Sequence, residues 1–269
     1  MKKRISILGC GWLGLPLGKH LVDKGFKVFG SIRSEDKIKQ VEEQGINTII
    51  IDLEKEIKKQ VLSKFLNSDV LVICIPPRVG KSYSEQFSSI VHLLKEKRIQ
   101  LQVIFISSTA IYDTCFDEIT ELNIHYSSSN RAKQLVEAEN LFKENFPNNL
   151  VILRLAGLAG PERNPGKFLA GKMDVINPKA PVNFIHLKDC IQIIHKVIIE
   201  SVHSEIFNVC APLHPTREEF YTHHSELLDL DPPQFNVSKE SIGKLISTNK
   251  LIDQLKYTFS YPNPMEFEF

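Results

Sequence analysis

The sequence predicts an α/β fold in which helices cover both faces of a doubly wound parallel sheet, and three observations support it. Short apolar runs alternate with longer amphipathic stretches over the first 155 residues, which is typical of alternating strands and helices. Residues 70–75 are apolar without interruption, as expected for a strand buried on both faces. Five strand–helix repeats precede a sixth strand, and such a series folds into a doubly wound sheet.

The predicted strands are residues 4–8, 27–30, 47–51, 69–75, 101–107 and 150–155. The predicted helices lie between them, at residues 12–24, 35–44, 57–66, 84–97 and 131–144. After residue 155 the alternation stops, because glycines and prolines mark a loop over 157–166 and the later strand signals, at 182–185 and 206–209, are brief. We therefore expect a sheet domain over residues 1–155 and a small C-terminal part over 156–269, with about 183–210 returning to the sheet.

Composition narrows the class of protein. Of 269 residues, 42% are hydrophobic and 24% are charged, and the formal net charge of +1 gives no field that would attract nucleic acid or a membrane surface. The apolar run after the basic start ends at residue 8, and no run approaches the ~20 residues of a membrane span. The five cysteines (10, 74, 115, 190 and 210) form no C-x-x-C pair, and the histidines lack metal-ligand spacing. We expect a cytoplasmic protein without a metal, whose partner is a small molecule.

A glycine-rich turn follows the first predicted strand and opens the first predicted helix. Its glycines, Gly9, Gly11 and Gly14, have the G-x-G-x-x-G spacing of dinucleotide-binding Rossmann folds, and Trp12 and Leu13 complete the turn. The first glycine permits a tight turn, the second lets the backbone approach a pyrophosphate, and the third lets the helix pack closely on the strand. The motif predicts a bound dinucleotide, and a plain tight turn is the alternative.

The end of the second predicted strand indicates which dinucleotide binds. An NAD site usually has an acid there that accepts from the ribose hydroxyl, but Glu35 and Asp36 come later, where the next helix begins. Arg33 could instead bind a 2′-phosphate through its guanidinium, and Ser31 and Ser34 could donate to the same phosphate. We therefore favour NADP(H) over NAD(H), with a solvated surface arginine as the alternative.

Four further motifs follow in a fixed order. They read Ile-Ser-Ser-Thr-Ala-Ile-Tyr at 106–112, Leu-Arg-Leu-Ala-Gly-Leu-Ala-Gly-Pro at 153–161, Asn-Phe-Ile-His-Leu-Lys-Asp at 183–189, and Phe-Asn-Val at 207–209 followed by His-Pro-Thr-Arg-Glu-Glu-Phe at 214–220. With the glycine turn, these motifs make the chain resemble the short-chain dehydrogenase/reductase superfamily, in its extended and atypical branches. Within that superfamily it is most similar to the YeeZ-like subgroup of NAD(P)-dependent epimerase/dehydratase-like proteins.

The resemblance implies roles for individual residues. Cofactor contacts implied in addition to the glycine turn are Asp52, Ile75, Pro76 and Pro77. Ser108 takes the place of the catalytic serine or threonine that donates to the substrate oxygen, and Thr109 follows it in the substrate site. In the glycine- and proline-rich loop, Arg163 is the candidate for binding an anionic substrate, with a solvated loop arginine as the alternative. His186 either faces the substrate or anchors the helix that begins at residue 187. Extended members commonly pair through the helices after the fourth and fifth strands, which implies a homodimer.

One departure from the superfamily concerns the catalytic pair Tyr-x-x-x-Lys, which occurs nowhere in the sequence. In that pair the tyrosine relays a proton, while the lysine binds ribose and lowers the tyrosine pKa. Lys133 falls in the lysine position, but Ser129 falls in the tyrosine position. Tyr126 lies one turn earlier and is the candidate for a displaced acid or base. The catalytic candidates are therefore Ser108, Tyr126 and Lys133.

Two functions from different classes stay open. The retained Ser108 and Lys133 favour an NADP(H)-dependent oxidoreductase or epimerase that acts on a hydroxyl or carbonyl group, with nucleotide sugars among the candidate substrates. The missing Tyr-x-x-x-Lys pair favours a non-catalytic NADP(H)-binding module, such as a redox sensor. A third option, an enzyme like the 3-hydroxyacid or UDP-sugar dehydrogenases, shares the glycine-rich opening but is disfavoured because the C-terminal part is too short for a long all-α domain.

Overall fold

The computed structural model describes residues 3–77, 83–96, 101–114, 118–236 and 242–269. The strands are β1 (Arg4–Leu8), β2 (Lys27–Ile32), β3 (Asn47–Ile50), β4 (Val70–Ile73), β5 (Gln102–Ser108), β6 (Glu118–Ile119), β7 (Leu150–Leu155), β8 (Gly157–Ala159), β9 (Phe184–His186), β10 (Glu205–Val209) and β11 (Leu245–Ile246). The helices are α1 (Gly14–Asp23), α2 (Ile38–Glu42), α3 (Lys59–Leu66), α4 (Ser88–Glu96), α5 (Asn130–Asn145), α6 (Gly166–Leu169), α7 (Leu187–Ile199), α8 (Arg217–Glu226) and α9 (Asn249–Leu255).

Seven strands form one parallel sheet in the order β10-β7-β5-β4-β1-β2-β3, which confirms the predicted fold class. Its centre is β1, whose Ile5 pairs with Val28 of β2 on one side and with Val70 of β4 on the other. The chain leaves β1 in one direction and later returns to its opposite side, so the strand order reverses between β1 and β4. At such a reversal the loops after neighbouring strands diverge and leave a crevice at the carboxyl ends.

The predicted elements of the sheet are present, with small shifts at their ends. The first and sixth predicted strands coincide with β1 and β7, whereas β2 continues to Ile32 because its last residues still pair with β3. Two predicted helices begin as 3-10 turns, at Glu35–Lys37 and Glu85–Phe87. Residue 97, the predicted end of the fourth helix, lies outside the described residues. The apolar strand β4 is almost completely buried, as its uninterrupted apolar sequence predicted.

By its internal contacts the chain divides into two compact units. The first contains Met1–Ser108, Ser129–Leu153 and Ile193–Ile206, and the second contains Thr109–Ser128, Arg154–Gln192 and Phe207–Phe269. The two units are therefore interleaved along the chain, since each takes segments from both sides of residue 155. The predicted division at that residue stays a prediction.

The second unit has its own apolar core. Phe184 stacks on Phe220 with ring centroids 4.8 Å apart, and the surrounding core residues are Ala159, Val182, Ala211, Tyr221 and Phe267. A buried carboxylate, that of Asp189, fixes the C-terminal segment to this core. It accepts hydrogen bonds from the Tyr257 hydroxyl at 2.7 Å and from the backbone N–H groups of Ser260 and Tyr261 at 2.7 and 3.0 Å.

The described part of the chain shows neither a membrane span nor a metal-binding cluster. None of its helices combines the length and the apolar character that crossing a membrane requires. Nor does it contain a group of three or more histidine, cysteine, aspartate or glutamate side chains placed to hold a metal ion.

Candidate functional site

A pocket of about 250 Å³ lies in the first unit at the carboxyl ends of β1, β2, β3 and β4. It occupies the crevice expected where the strand order reverses. The pocket is lined by Gly9, Cys10, Gly11, Ser31, Ile32, Arg33, Ser34, Lys37, Ile51, Asp52, Leu53, Glu54, Cys74, Ile75, Pro76 and Gln86. The fold thus brings together the glycine turn, the end of the second strand and the segment after the fourth strand.

The glycine turn after β1, part of which lines the pocket, needs glycine at two of its positions. Gly9 has φ of +101°, and a Cβ on Gly14 would lie 2.1 Å from the carbonyl oxygen of Gly9. The backbone conformation at Gly9 and the packing at Gly14 therefore require glycine whether or not a ligand is bound. A Cβ on Gly11 would meet no described atom within 4 Å. Because Gly11 lines the pocket and is not required for packing, its place in the turn fits a site where a ligand approaches the backbone.

Ser31 connects this turn to the second strand. Its hydroxyl oxygen accepts a hydrogen bond from the Gly9 N–H at 2.9 Å, and its carbonyl accepts one from the Cys10 N–H at the same distance. The side chain is 2% exposed. The hydroxyl that was predicted to donate to a 2′-phosphate therefore stabilises the turn, and its contact with a phosphate stays a prediction.

The end of the pocket formed by the segments after β2 and β3 carries charges of both signs. Arg33 and Lys37 line it, and the Nη1 atom of Arg33 lies 3.9 Å from Oε1 of Glu54. The Asp52 carboxylate accepts from the Glu54 N–H at 3.1 Å and lies 3.6 Å from the ammonium of Lys55. Lys37 and Glu54 were not singled out from the sequence. Their contact with the pocket depends on the 3-10 turn after β2 and on the turn after β3, which apolar periodicity does not reveal.

Two thiols and a carbonyl complete the inner wall. Burial raises the pKa of Cys10 to about 12 and raises the pKa of Cys74 still further, so both thiols stay protonated at neutral pH. The buried Tyr83 hydroxyl donates to the carbonyl of Ile75, which holds the segment after β4 against the pocket. Cys115 lies outside the described residues.

Several other predicted cofactor residues do not line this pocket. Among the described residues, the lining includes neither Trp12, Leu13 and Gly14 nor Pro77 and Lys133. Trp12 is half-buried, and Leu13 and Gly14 are buried at the beginning of α1.

The predicted catalytic residues are distributed over both units. Ser108 is the half-buried last residue of β5, and Lys133 is exposed in the first turn of α5. Ser129, in the position of the missing tyrosine, caps α5 by accepting from the Ala132 N–H at 3.3 Å. Tyr126 belongs to the second unit and is 37% exposed. The roles of Ser108, Tyr126 and Lys133 stay predictions.

A buried polar network in the second unit connects residues of three of the short motifs. Tyr112 donates to the side-chain oxygen of Asn208 at 2.8 Å and accepts from Nη1 of the buried Arg154 at 2.7 Å. Burial raises the pKa of Tyr112 to about 12, although the Arg154 charge acts against this shift. These motif residues therefore stabilise the fold, and Tyr112 stays protonated at physiological pH.

The remaining predicted substrate residues have contacts of different kinds. His186 accepts from the Lys188 N–H at 3.2 Å through Nδ1, and its Nε2 lies 3.0 Å from the carbonyl oxygen of Glu268. Both ring nitrogens therefore have partners, which favours the helix-anchoring alternative. Arg163 is exposed in a tight turn after β8. Thr109 is buried, and its carbonyl accepts from the ammonium of Lys244 at 3.0 Å, a lysine that the sequence analysis missed.

Comparison with known proteins places this architecture in a family. Residues 4–134 match the family model for the NAD-binding domain of 6-phosphogluconate dehydrogenase. Protein YeeZ of Escherichia coli K12 is 34% identical over 270 residues, which cover 98% of each chain. The chain belongs to the YeeZ family. Its first half therefore carries a Rossmann domain of the type that binds pyridine nucleotides.

Solved structures with the same fold include proteins from other organisms. A conserved protein of unknown function from Silicibacter pomeroyi DSS superposes with a TM-score of 0.81 at 20% identity, covering 98% of this chain and 96% of that one. UDP-glucuronic acid 4-epimerase from Bacillus cereus, in complex with UDP-glucuronic acid and NAD, superposes with a TM-score of 0.75 at 19% identity and the same coverage. At these identities the similarity is one of fold.

Proposed function

We propose that this member of the YeeZ family is an NADP(H)-dependent oxidoreductase or epimerase that acts on a hydroxyl or carbonyl group. The observation that carries the proposal is the pocket, whose lining contains both a glycine turn and the cations of Arg33 and Lys37. Backbone N–H groups at the start of a helix suit a pyrophosphate, and a pair of cations suits the additional phosphate of NADP(H).

The residues around the pocket fit a dinucleotide in several further respects. Gly11 leaves the backbone open to a phosphate, since its Cβ position meets no described atom within 4 Å. Asp52, partly neutralised by Lys55, lies where the adenine half is expected. Ile75 and Pro76 supply an apolar wall after β4. When bound, the nicotinamide would supply or accept a hydride.

In this proposal three side chains hold the substrate and the cofactor and move the proton. Ser108 donates a hydrogen bond to the substrate oxygen from the carboxyl end of β5, which is where α/β sheets hold their ligands. Lys133 binds the cofactor ribose from the first turn of α5. Tyr126, or a water molecule held by Lys133, exchanges the proton with the substrate.

The proposed substrate class is a hydroxyl or carbonyl compound that carries an anionic group, of which nucleotide sugars are one example. Arg163 supports an anionic substrate because its guanidinium is exposed in the glycine- and proline-rich segment after β8. The solved epimerase of the same fold holds UDP-glucuronic acid, which makes UDP-sugars the first compounds to test.

A non-catalytic NADP(H)-binding module is the second candidate, and one observation favours it. Ser129 occupies the tyrosine position, and its hydroxyl oxygen caps α5 by accepting from the Ala132 N–H. A serine hydroxyl transfers a proton far less readily than a phenol at neutral pH. Turnover therefore has to use Tyr126 or water, and without either the protein would bind the cofactor and leave it unchanged.

Cofactor binding is tested by titrating the protein with NADPH and with NADH and following nucleotide fluorescence. We expect tighter binding of NADPH, and we expect Arg33→Met to weaken NADPH binding by about tenfold, because a charge-assisted contact to phosphate is lost, while NADH binding changes little. Lys39→Met, which removes an exposed lysine of α2 outside the pocket lining, is the control. Binding of neither nucleotide at millimolar concentration would contradict both candidate functions.

Turnover separates the two candidates. The protein is mixed with NADPH or NADP and a panel of UDP-sugars, aldehydes and ketones, and both the nucleotide absorbance and the formation of product are followed. Product has to be measured as well, because an epimerase returns its hydride to the substrate and leaves the nucleotide unchanged overall. The enzyme proposal expects activity on at least one compound and a loss of about 100-fold or more in Ser108→Ala, in line with removal of a group that stabilises the transition state. Tight NADPH binding with no turnover on any compound would leave the non-catalytic module.

A further inference from the structure

We infer that Glu54 sets the balance between the two nicotinamide dinucleotides by competing with the 2′-phosphate of NADP(H) for Arg33. The inference rests on the proposed function, since it assumes that the pocket holds a dinucleotide with its adenosine ribose near Arg33. It assigns a selectivity-determining role to an acid that neither the glycine motif nor the segment after the second strand had indicated.

The contact between Arg33 and Glu54 is long and exposed. Nη1 of Arg33 and Oε1 of Glu54 are 3.9 Å apart, which is longer than a hydrogen bond, and the two side chains are 55% and 49% exposed. An ion pair that is this long and this exposed is weak. Arg33 can therefore exchange Glu54 for a stronger anion, and a phosphate that accepts two guanidinium hydrogen bonds is such an anion.

Asp52, the other acid in the same turn, has partners within that turn. The Asp52 carboxylate accepts from the Glu54 N–H at 3.1 Å and lies 3.6 Å from the Lys55 ammonium. Its charge is thus used within the turn after β3. The same backbone contact fixes the start of the turn that presents the Glu54 carboxylate to Arg33, so Glu54 is the acid that faces the predicted phosphate ligand.

Side chains of both charges line the pocket near Arg33. Its described lining contains two cations, Arg33 and Lys37, and two carboxylates, Asp52 and Glu54. A 2′-phosphate brings up to two negative charges, so it gains from both cations but is repelled by Glu54. The uncharged ribose hydroxyl of NAD(H) meets neither effect. Glu54 therefore lowers the affinity for NADP(H) and leaves that for NAD(H) nearly unchanged.

The test is a pair of charge-neutralising variants studied by fluorescence titration of the full chain. Glu54→Gln should tighten NADPH binding about 3- to 5-fold, which corresponds to the loss of one exposed charge interaction, with NADH affinity unchanged within error. Glu56→Gln removes an equal charge from an exposed side chain of the same segment that does not line the pocket. This control should leave both affinities unchanged.

Two further measurements locate the effect. The gain should also appear with 2′,5′-ADP and be absent with 5′-AMP, and it should shrink as salt rises from about 0.05 M to about 0.5 M because exposed charges are screened. In the background of Arg33→Met, the substitution Glu54→Gln should give a smaller gain, since the competition for that guanidinium no longer exists.

The outcomes separate this inference from the proposed function. If the unmodified protein binds neither dinucleotide, the proposed function fails. If it binds NADPH but Glu54→Gln leaves the NADPH affinity unchanged or weakens it, the competition is absent and the inference alone is overturned. A loss of NADH affinity in Glu54→Gln, with NADPH unchanged, would likewise overturn it, because Glu54 would then accept from the ribose.

Discussion

Gly11 and Gly14 belong to the same turn, but only Gly14 is required for the packing of the protein itself. Gly14 faces the carbonyl oxygen of Gly9, which its Cβ would approach to 2.1 Å, whereas the Cβ position of Gly11 opens toward the pocket. Gly14→Ala should therefore lower the free energy of unfolding by about 1–3 kcal/mol, the usual cost of forcing an extra methyl group into a packed site. Urea unfolding followed by circular dichroism measures this effect.

Gly11→Ala is the matched substitution, since it adds the same methyl group a few residues earlier. We expect it to leave the free energy of unfolding nearly unchanged and to weaken NADPH binding by about tenfold, because the new methyl group would lie where the pyrophosphate approaches the backbone. The interpretation of the turn is wrong if Gly11→Ala unfolds the protein or if Gly14→Ala leaves its stability intact.

Residue roles could be predicted from sequence only where position along one element determines them. Arg33 follows the second strand directly, so its place at the pocket was predictable, and the pocket lining includes it. Lys37 lies in a stretch predicted as an ordinary helix, and the 3-10 turn at Glu35–Lys37 brings it to the same pocket. His186 shows the converse, because its two ring contacts come from Lys188 nearby and from Glu268 at the other end of the sequence.

At the scale of elements, Tyr112 links three segments of the second unit. It follows the 3-10 turn Thr109–Ile111, accepts from Arg154 at the end of β7 and donates to Asn208 of β10. Tyr112→Phe removes both hydrogen bonds and leaves a buried guanidinium and a buried amide oxygen each short of a partner. We expect the free energy of unfolding to fall by about 1–3 kcal/mol.

The measurement for Tyr112 is again urea unfolding, with Tyr126→Phe as the control because that tyrosine is 37% exposed. The control should change the stability by less than about 0.5 kcal/mol. An equal loss in both variants, or none in Tyr112→Phe, would show that the hydrogen bonds of Tyr112 are replaced by others when its hydroxyl is removed.

Elements of the sheet were predictable because their sequence signal is local. A buried strand needs an apolar run and its covering helix needs an apolar stripe, and both can be read within a dozen residues. The short strands β6 and β11 gave no such signal, since each has two residues and exists through its pairing with the other, from Leu245 to Glu118 and from Ile246 to Ile119. A pairing of segments so far apart in sequence depends on the folded chain.

At the scale of the whole molecule, five buried or half-buried histidines should make the free energy of unfolding depend on pH. Burial is the largest cause that lowers the pKa of each, and the set comprises His20, His186, His195, His214 and His224. His20 and His195 also face each other, with Nε2 and Nδ1 3.1 Å apart, and the nearby Lys24 charge lowers both pKa values further.

The free energy of unfolding should decrease as the pH falls, because the unfolded chain takes up protons on these histidines before the folded chain does. The unfolded histidines become charged near pH 6.5, whereas the folded ones do so only at lower pH. The contribution of these histidines to the free energy of unfolding should therefore be complete above pH ~6.5. As the pH falls below that value, the free energy of unfolding should decrease by ~1.4 kcal/mol per pH unit for each proton that only the unfolded chain has bound. Thermal or urea unfolding between about pH 8 and about pH 5 measures this slope.

Substitution identifies the His20–His195 contribution. His195→Gln should reduce the pH dependence, because one group with a lowered pKa is removed and His20 no longer faces a second imidazole. His203→Gln, at an exposed position, is the control. A slope that is the same in both variants and in the unmodified protein would show that this pair does not contribute to the pH dependence.

The class of fold, the position of the glycine turn and the family resemblance could all be predicted before the structure was known, because they depend on local periodicity and on short, contiguous motifs. The folded chain was needed to show that Lys37 and Glu54 line the pocket together with Arg33, that the Ser31 hydroxyl accepts from the Gly9 N–H of the turn, and that the two compact units are interleaved along the chain. The physical reason is that a side chain's contacts are set by loops and by segments distant in sequence. No periodicity within one element records them.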